Sequence, residues 1–377
     1  MRFSLKIIPI LLLLVQTAAA QYEYASRGQV SAWLLANDEN EQNVGIRYIP
    51  TLNLGRILTG EWTIDGELAL NSFSSKTFTD GPKDDSHNDF KTYRAWARLS
   101  ANQFELRIGL QKLNFGSATL LRPLMWFDQL DPRDPLQLTD GVYAALGRYY
   151  FLNNTNIWLW FLLGNDGQRG LDIFTSDKEK TEYGGRLQLP FLSGEMAFSV
   201  HRREAAVPDE YRIFLPEASS RFTENRFGLD GRWDYFVGLW FESVLLKRDV
   251  PLDEFKYERR VTFGGDATAP VGNGITIIAE YFFRAASSEP LKNGDRSSLW
   301  ASSLRYPIGM LDNFSAMFYF NPDDNSWFRF ANWQRTTNNW QFNLIAFWNP
   351  EYRPFYAQNQ HTVFAGKGVQ TMVVFNY

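Results

Sequence analysis

The chain has 377 residues, with 38 Lys and Arg against 42 Asp and Glu, a net charge of −4 and no cysteine. A balance this near neutrality argues against a nucleic-acid partner, and the missing cysteines exclude a disulfide framework, so stability must come from one large fold. Aromatic residues make up 16%, including 13 Trp, more than an ordinary core needs and suited to a bilayer interface.

The first residues, "MRFSLKIIPILLLLVQTAAAQ", place Arg2 and Lys6 ahead of an apolar stretch from Ile7 to Val15, with small residues up to Ala20. This is the layout of a secretory signal over residues 1–20, and the mature chain is expected to begin near Gln21 or Tyr22. The apolar stretch is about half the roughly 20 residues that a spanning helix needs. No later apolar run is long enough either, so a membrane crossing by this chain must use strands.

A first strand is expected near residues 29–35, and a further one over 92–99. "FELRIGLQ" then sets Phe104, Leu106, Ile108 and Leu110 on one face and Glu105, Arg107, Gly109 and Gln111 on the other. That period of two is a strand signal; a helix would scatter the same residues around a cylinder.

The next stretch, "QKLNFGSATLLRPLMWFDQLDPRDPLQLTDGV", breaks the pattern. Pro123, Pro132 and Pro135 forbid a central strand and limit any helix, while Leu120, Leu121, Leu124, Met125, Trp126 and Phe127 are too apolar for a solvated loop. Irregular backbone at membrane depth is tolerated only inside protein or against water, so residues 113–140 are expected to fold inward and constrict a pore.

The same stretch carries a resemblance. Gly109, Gln111, Lys112, Phe115 and Gly116 form a strand-ending G-x-Q-K-x-x-F-G, followed by "LDPRDP" at 130–135 and "DGV" at 140–142. Over about 35 residues this resembles porin-type outer-membrane barrels of the alginate-export and carbohydrate-channel kind. The resemblance implies a long segment that narrows the channel, with Asp131, Arg133 and Asp134 in the constriction. Trp126, Phe127 and Asp128 belong to the same expected constriction.

Strand patterns resume at 183–189 and in "EMAFSVHR", where Met196, Phe198 and Val200 oppose Glu195, Ala197, Ser199 and His201. They continue at 226–233, 258–266, 275–284, 314–320 and 340–348, each near the nine to eleven residues of a tilted spanning strand. Short turns fall at 100–103, 152–155, 190–194, 233–235, 270–274 and 335–339. Between them run long polar connections at about 72–88, 113–140, 164–180, 204–222, 247–256, 285–297 and 349–360.

Tight turns on one side and long loops on the other are the pattern of an outer-membrane barrel. The expected fold is therefore all-β: a transmembrane, antiparallel, up-and-down barrel of about 18 strands, with 16 as the alternative, over residues 21–377. Its last strand, "TMVVFNY", is expected to pair with the first, and a terminal aromatic with Val373, Phe375 and Tyr377 in alternation resembles the signal by which such barrels are recognised for assembly.

The polar strand faces carry Arg94, Arg98, Glu105, Arg107, Arg186, Arg226, Asp230, Arg232, Glu258, Arg260, Glu280 and Arg284. A charge facing lipid at mid-membrane is costly, so these side chains are expected to line the pore, and their Arg excess predicts a preference for anions or acidic glycans. The expected function is diffusion or export of a polar solute or glycan.

A protease or lipase barrel is the competing reading, with Asp85 and His87 as one possible pair and His201 and His361 the other histidines. A structural or assembly barrel is a third. No metal cluster or phosphate loop is present, so no cofactor is expected. Expected partners are outer-membrane lipid and lipopolysaccharide, the barrel assembly machinery and the transported solute; both a monomer and a trimer suit the sequence.

Overall fold

The computed structural model describes residues 22–38, 41–58, 60–79, 85–207, 221–250, 254, 256–350 and 364–377. The signal segment and His361 lie outside the described residues. Eighteen strands close into an antiparallel ring, the number expected from the sequence.

In chain order the first strands are β1 Tyr22–Asn37, β2 Gln42–Ile57, β3 Thr63–Phe78, β4 Asp85–Ala101, β5 Phe104–Gln111, β6 Val142–Tyr150 and β7 Asn156–Leu162. A two-residue strand, β8 Thr175–Ser176, lies outside the ring against the next but one strand. The ring continues with β9 Glu182–Phe191, β10 Gly194–Ala206, β11 Arg221–Asp234, β12 Gly238–Arg248, β13 Tyr257–Ala269 and β14 Ile275–Ser287. It ends with β15 Asp295–Pro307, β16 Asp312–Asn321, β17 Ser326–Thr337, β18 Trp340–Trp348 and β19 Lys367–Asn376.

Alternation along each strand sends apolar side chains outward and polar or small ones inward. On β10, Phe198 and Val200 are exposed while Ala197, Ser199 and His201 are buried. The same inversion leaves Ile46, Leu54, Leu68, Leu159, Phe263 and Leu344 exposed. A surface of this kind is stable only against lipid, and a closed ring leaves no strand edge unpaired there. Tyr149, Phe151, Phe191, Tyr235, Phe236 and Trp340 gather at the end that carries the tight turns, forming one aromatic girdle.

The ring closes where the sequence predicts. β19 pairs with β1 in the register Leu34↔Thr371, Ala32↔Val373 and Val30↔Phe375. Tyr377 extends the ladder by one residue pair: its N–H donates to the Gly28 carbonyl and its carbonyl accepts from Gly28, both at 3.0 Å. Its ring stacks on Phe375 and its hydroxyl meets that of Tyr48 at 2.7 Å.

Removing residues 375–377 takes away these bonds and the end of the closing strand. The truncated chain is expected to keep its signal cleavage but to lose most of its heat-modifiable, folded form from the outer membrane; normal assembly would refute the role given to this terminus.

Several connections differ from expectation. Residues 72–78 and 85–88 belong to β3 and β4, and 285–287 to β14, because polar residues that alternate can extend a strand past the membrane. The 164–180 connection does not stay outside. Both it and 113–140 turn into the barrel, filling much of the space that the ring encloses.

Candidate functional site

Residues 112–141 leave the end of β5 and enter the lumen without regular structure. Leu113, Leu121, Leu124 and Trp126 are buried against the inner wall. Phe115 stacks on Trp160 of β7 with ring centres 5.5 Å apart, and Trp126 and Phe127 pack around them. Gly228 on β11 makes room: a Cβ there would lie 2.5 Å from Leu124 Cδ2.

The wall also meets the segment's main chain. Glu242 accepts from the Ala118 and Leu124 amides at 2.7 and 2.9 Å, and Glu280 from those of Thr119, Leu120 and Leu121 at 2.7, 3.0 and 2.6 Å. Residues 163–181 pack over the segment, with Gly170 donating its N–H to the Asp128 carbonyl. At that contact φ is +50° and a Cβ would sit 1.8 Å from the Met125 carbonyl oxygen, so only glycine serves.

This filling decides where the charged residues stand. Arg186 forms a two-bond pair with Asp230 at 2.6 and 2.8 Å. Arg226 reaches both Asp172, 2.5 Å away on the inward 163–181 loop, and Glu224. Glu258 accepts from Arg260 at 2.6 Å and Arg284 at 2.8 Å. Arg226, Asp230, Glu258, Arg260 and Glu280 are no more than 2% exposed, so these expected pore-lining groups face packed protein.

Of the other expected lining residues, Arg98, Arg107 and Arg232 keep some water. Arg98 pairs with Asp65 through two bonds; Glu105 sits among Arg98, Arg107 and Arg148; Arg232 lies between Asp234 and Asp266. Arg94 is buried and donates to the Thr139 carbonyl at 2.8 Å, fastening the outgoing end of the segment.

The expected constriction residues divide in the same way. Trp126, Phe127 and Asp128 are at most 3% exposed, because the apolar part of the segment is pressed against the wall. Arg133 pairs with Asp131 at 2.7 Å and lies over the Phe330 ring. Asp134 borders open space. Burial raises Asp128 and Asp134 above the ordinary carboxylate range, opposed by Arg122 at the first and by the Leu136 and Leu138 amides at the second.

That open space is a cavity of about 620 Å³ between Asp134 and Pro135 on the segment and the inner faces of β1 to β4 and β19. Trp33 and Phe73 stack in its wall with centres 5.5 Å apart, and the Arg47 guanidinium lies 4.8 Å over Phe73. Asn43, Asn71, Ser75, Thr77 and Gln370 complete a lining rich in hydrogen-bonding groups.

As a sequence, the chain matches no protein-family model and no curated protein. As a structure it superposes on OccAB1 of Acinetobacter baumannii with a TM-score of 0.56 at 8% identity, covering 96% of this chain and 98% of that one. OccK7 (OpdD) of Pseudomonas aeruginosa gives 0.56 at 11%, with coverages of 95% and 98%. In-vitro folded OmpT, an outer membrane protein of Vibrio cholerae in its trimer form, gives 0.52 at 10%, with coverages of 94% and 99%.

The fold is that of the outer-membrane porins.

In this barrel the wall residues that border the cavity include several that the sequence patterns did not single out: Trp33, Arg47, Phe73 and Lys91. The signal was available. Arg47 and Asn43 share the polar face of β2, in "NVGIRY", and Trp33 and Phe73 are aromatics on the face opposite to the lipid-facing Leu34 and Ser72. The inward-folding loop with Asp172 had no such signal, since "QRGLDIF" shows no period.

Proposed function

We propose that this porin barrel is a passive outer-membrane channel for small polar solutes, with a short glycan as the favoured class and residues 113–140 as its constriction. The observation that carries the reading is the cavity left between an inward, wall-fastened segment and five strands of the ring. Its lining suits sugars: stacked Trp33 and Phe73 offer apolar faces to ring C–H groups, while amides and hydroxyls beside them exchange hydrogen bonds with a polyol.

The resemblance to carbohydrate-channel barrels points the same way. Lipid and lipopolysaccharide are its proposed surroundings, and the assembly machinery is the proposed reader of Val373, Phe375 and Tyr377.

Liposomes carrying the refolded protein are expected to swell in isosmotic mono- and disaccharides, and planar bilayers to show unitary conductance steps. A folded barrel that does neither would refute the channel and favour an anchor or an enzyme. The enzyme reading has little to support it: His201 is buried between Trp160 and Glu182, and His87 lies against Phe73 in the cavity wall.

Charge preference follows position rather than residue counts. Arg186, Arg226 and Arg260 are paired behind the segment, whereas the cavity is lined by Glu41, Asp85, Asp89 and Asp134 against Arg47 and Lys91. A narrow acidic lining outweighs paired charges further away, since screening acts beyond about 8 Å at physiological salt. The anion preference expected from the Arg excess therefore gives way to a weak cation preference. The reversal potential in a KCl gradient is expected to take the cation sign and to shrink in Asp134→Asn; an anion sign would return the reading to the Arg-rich faces.

A further inference from the structure

We propose that Glu242 and Glu280 are positioning residues whose task is to capture the main chain of the inward segment and hold it in the passage. The inference deepens the channel reading and rests on it.

Other inner-wall carboxylates of this half of the barrel are met by guanidinium groups: Asp230 by Arg186, Glu224 by Arg203, Arg226 and Arg248, and Glu258 by Arg260 and Arg284. Glu242 and Glu280 differ, since among the described residues neither is in a salt bridge. Their oxygens accept instead from five consecutive or near-consecutive amides, those of residues 118–121 and 124, and Glu280 also from the Trp240 indole N–H at 3.0 Å.

A backbone without helix or ladder bonds must find partners for its amides when buried, and these residues belong to no helix or strand. A carboxylate is an acceptor at both oxygens and can serve several N–H groups together, which no neutral side chain of its size can do.

The geometry is a two-point mount. Glu242 and Glu280 lie near the middle of β12 and β14, on either side of β13, where Glu242 is paired with Thr262 and Gly264 with Glu280. Thr262 supplies the complementary bond, donating its hydroxyl to the Leu121 carbonyl at 2.7 Å. Gly264 leaves the gap through which Trp240 reaches Glu280, since a Cβ there would lie 2.4 Å from the indole nitrogen. The segment is thus held by its backbone, at a fixed depth, by side chains that do not depend on its sequence.

Glutamine keeps the size but turns one oxygen of each pair into a donor that faces amide donors. In E242Q/E280Q the single conductance level of the wild type is expected to give way to a higher, fluctuating one, and trypsin is expected to cut the refolded barrel after Arg133 sooner than in the wild type. The chain has no cysteine, so L124C/G228C introduces a single candidate disulfide between segment and wall, at a point where the Leu124 side chain already lies against Gly228.

Oxidation of the four-fold variant should restore the wild-type level, and reduction should raise it again. A folded E242Q/E280Q barrel with the wild-type level and trypsin resistance would overturn the proposal, as would a raised level that the disulfide leaves unchanged, which would indicate a damaged barrel. If the double variant does not fold, E280Q alone carries the same comparison. A wild type that passes no ions would instead refute the channel reading itself.

Discussion

Replacing residues 120–138 by a short Gly and Ser linker is expected to raise single-channel conductance about threefold in a barrel that still folds, as judged by heat modifiability. The factor follows from how the ring is shared. The cavity borders β1 to β4 and β19, five of the eighteen strands, and the two inward loops take up much of the rest of the interior. A lumen widens with the number of strands around it, so returning the segment's share of the interior to the passage while the 163–181 loop stays in place should increase the open cross-section by a factor on the order of three.

The remaining 163–181 loop keeps its anchorage through Asp172 and Arg169, which prevents a larger gain. Unchanged conductance in the folded variant would mean that ions pass elsewhere and that the segment is a brace for the wall. A loss of folding would show that the apolar cluster of Leu124, Trp126 and Phe127 with Trp160 and Leu246 is needed before closure, and the conductance would then be read in shorter deletions around Asp134.

The barrel itself was legible because its rule is local. Period two along "FELRIGLQ" or "EMAFSVHR" assigns each side chain to lipid or lumen, and the terminal strand declares its partner through the same alternation. The inward course of residues 113–140 was legible for a different reason: three prolines next to six large apolar residues are incompatible with both a strand and a solvated loop.

What the sequence withheld is which charges meet. Asp172 and Arg226 are 54 residues apart and Glu280 lies about 160 from the amides it binds, so neither contact leaves a local pattern. Counting Arg on strand faces therefore points to a polar inner surface but cannot say that a loop carrying the opposing acid packs against its middle. Leu171, Ile173 and Phe174 are the apolar residues there that hint that 164–180 is more than a polar loop.

The sealed charges carry the largest stability prediction. Glu224 is wholly buried and accepts from Arg203 Nε and Arg248 Nε at 2.7 Å each, and from Arg226 at 2.7 and 2.9 Å. Around it the buried cluster holds Arg203, Arg226, Arg248 and Arg260 against Asp172, Glu224 and Glu258, already one cation in excess. Glu224→Gln leaves the space filled but sets four guanidiniums against two carboxylates in a region that water does not reach.

Removing one partner of a buried ion pair costs about 3–5 kcal/mol, because the other charge stays desolvated and unpaired. Urea unfolding of the refolded barrel in lipid should show a loss of that order for Glu224→Gln and less for Arg232→Gln, whose partners Asp234 and Asp266 lie partly in water. The same substitution should loosen the 163–181 loop, because Arg203 and Arg226 hold Asp172 while Glu224 holds them. Equal losses for the two variants would show that the cluster is hydrated in the folded barrel, and with it that the strands from β9 to β14 face an aqueous lumen.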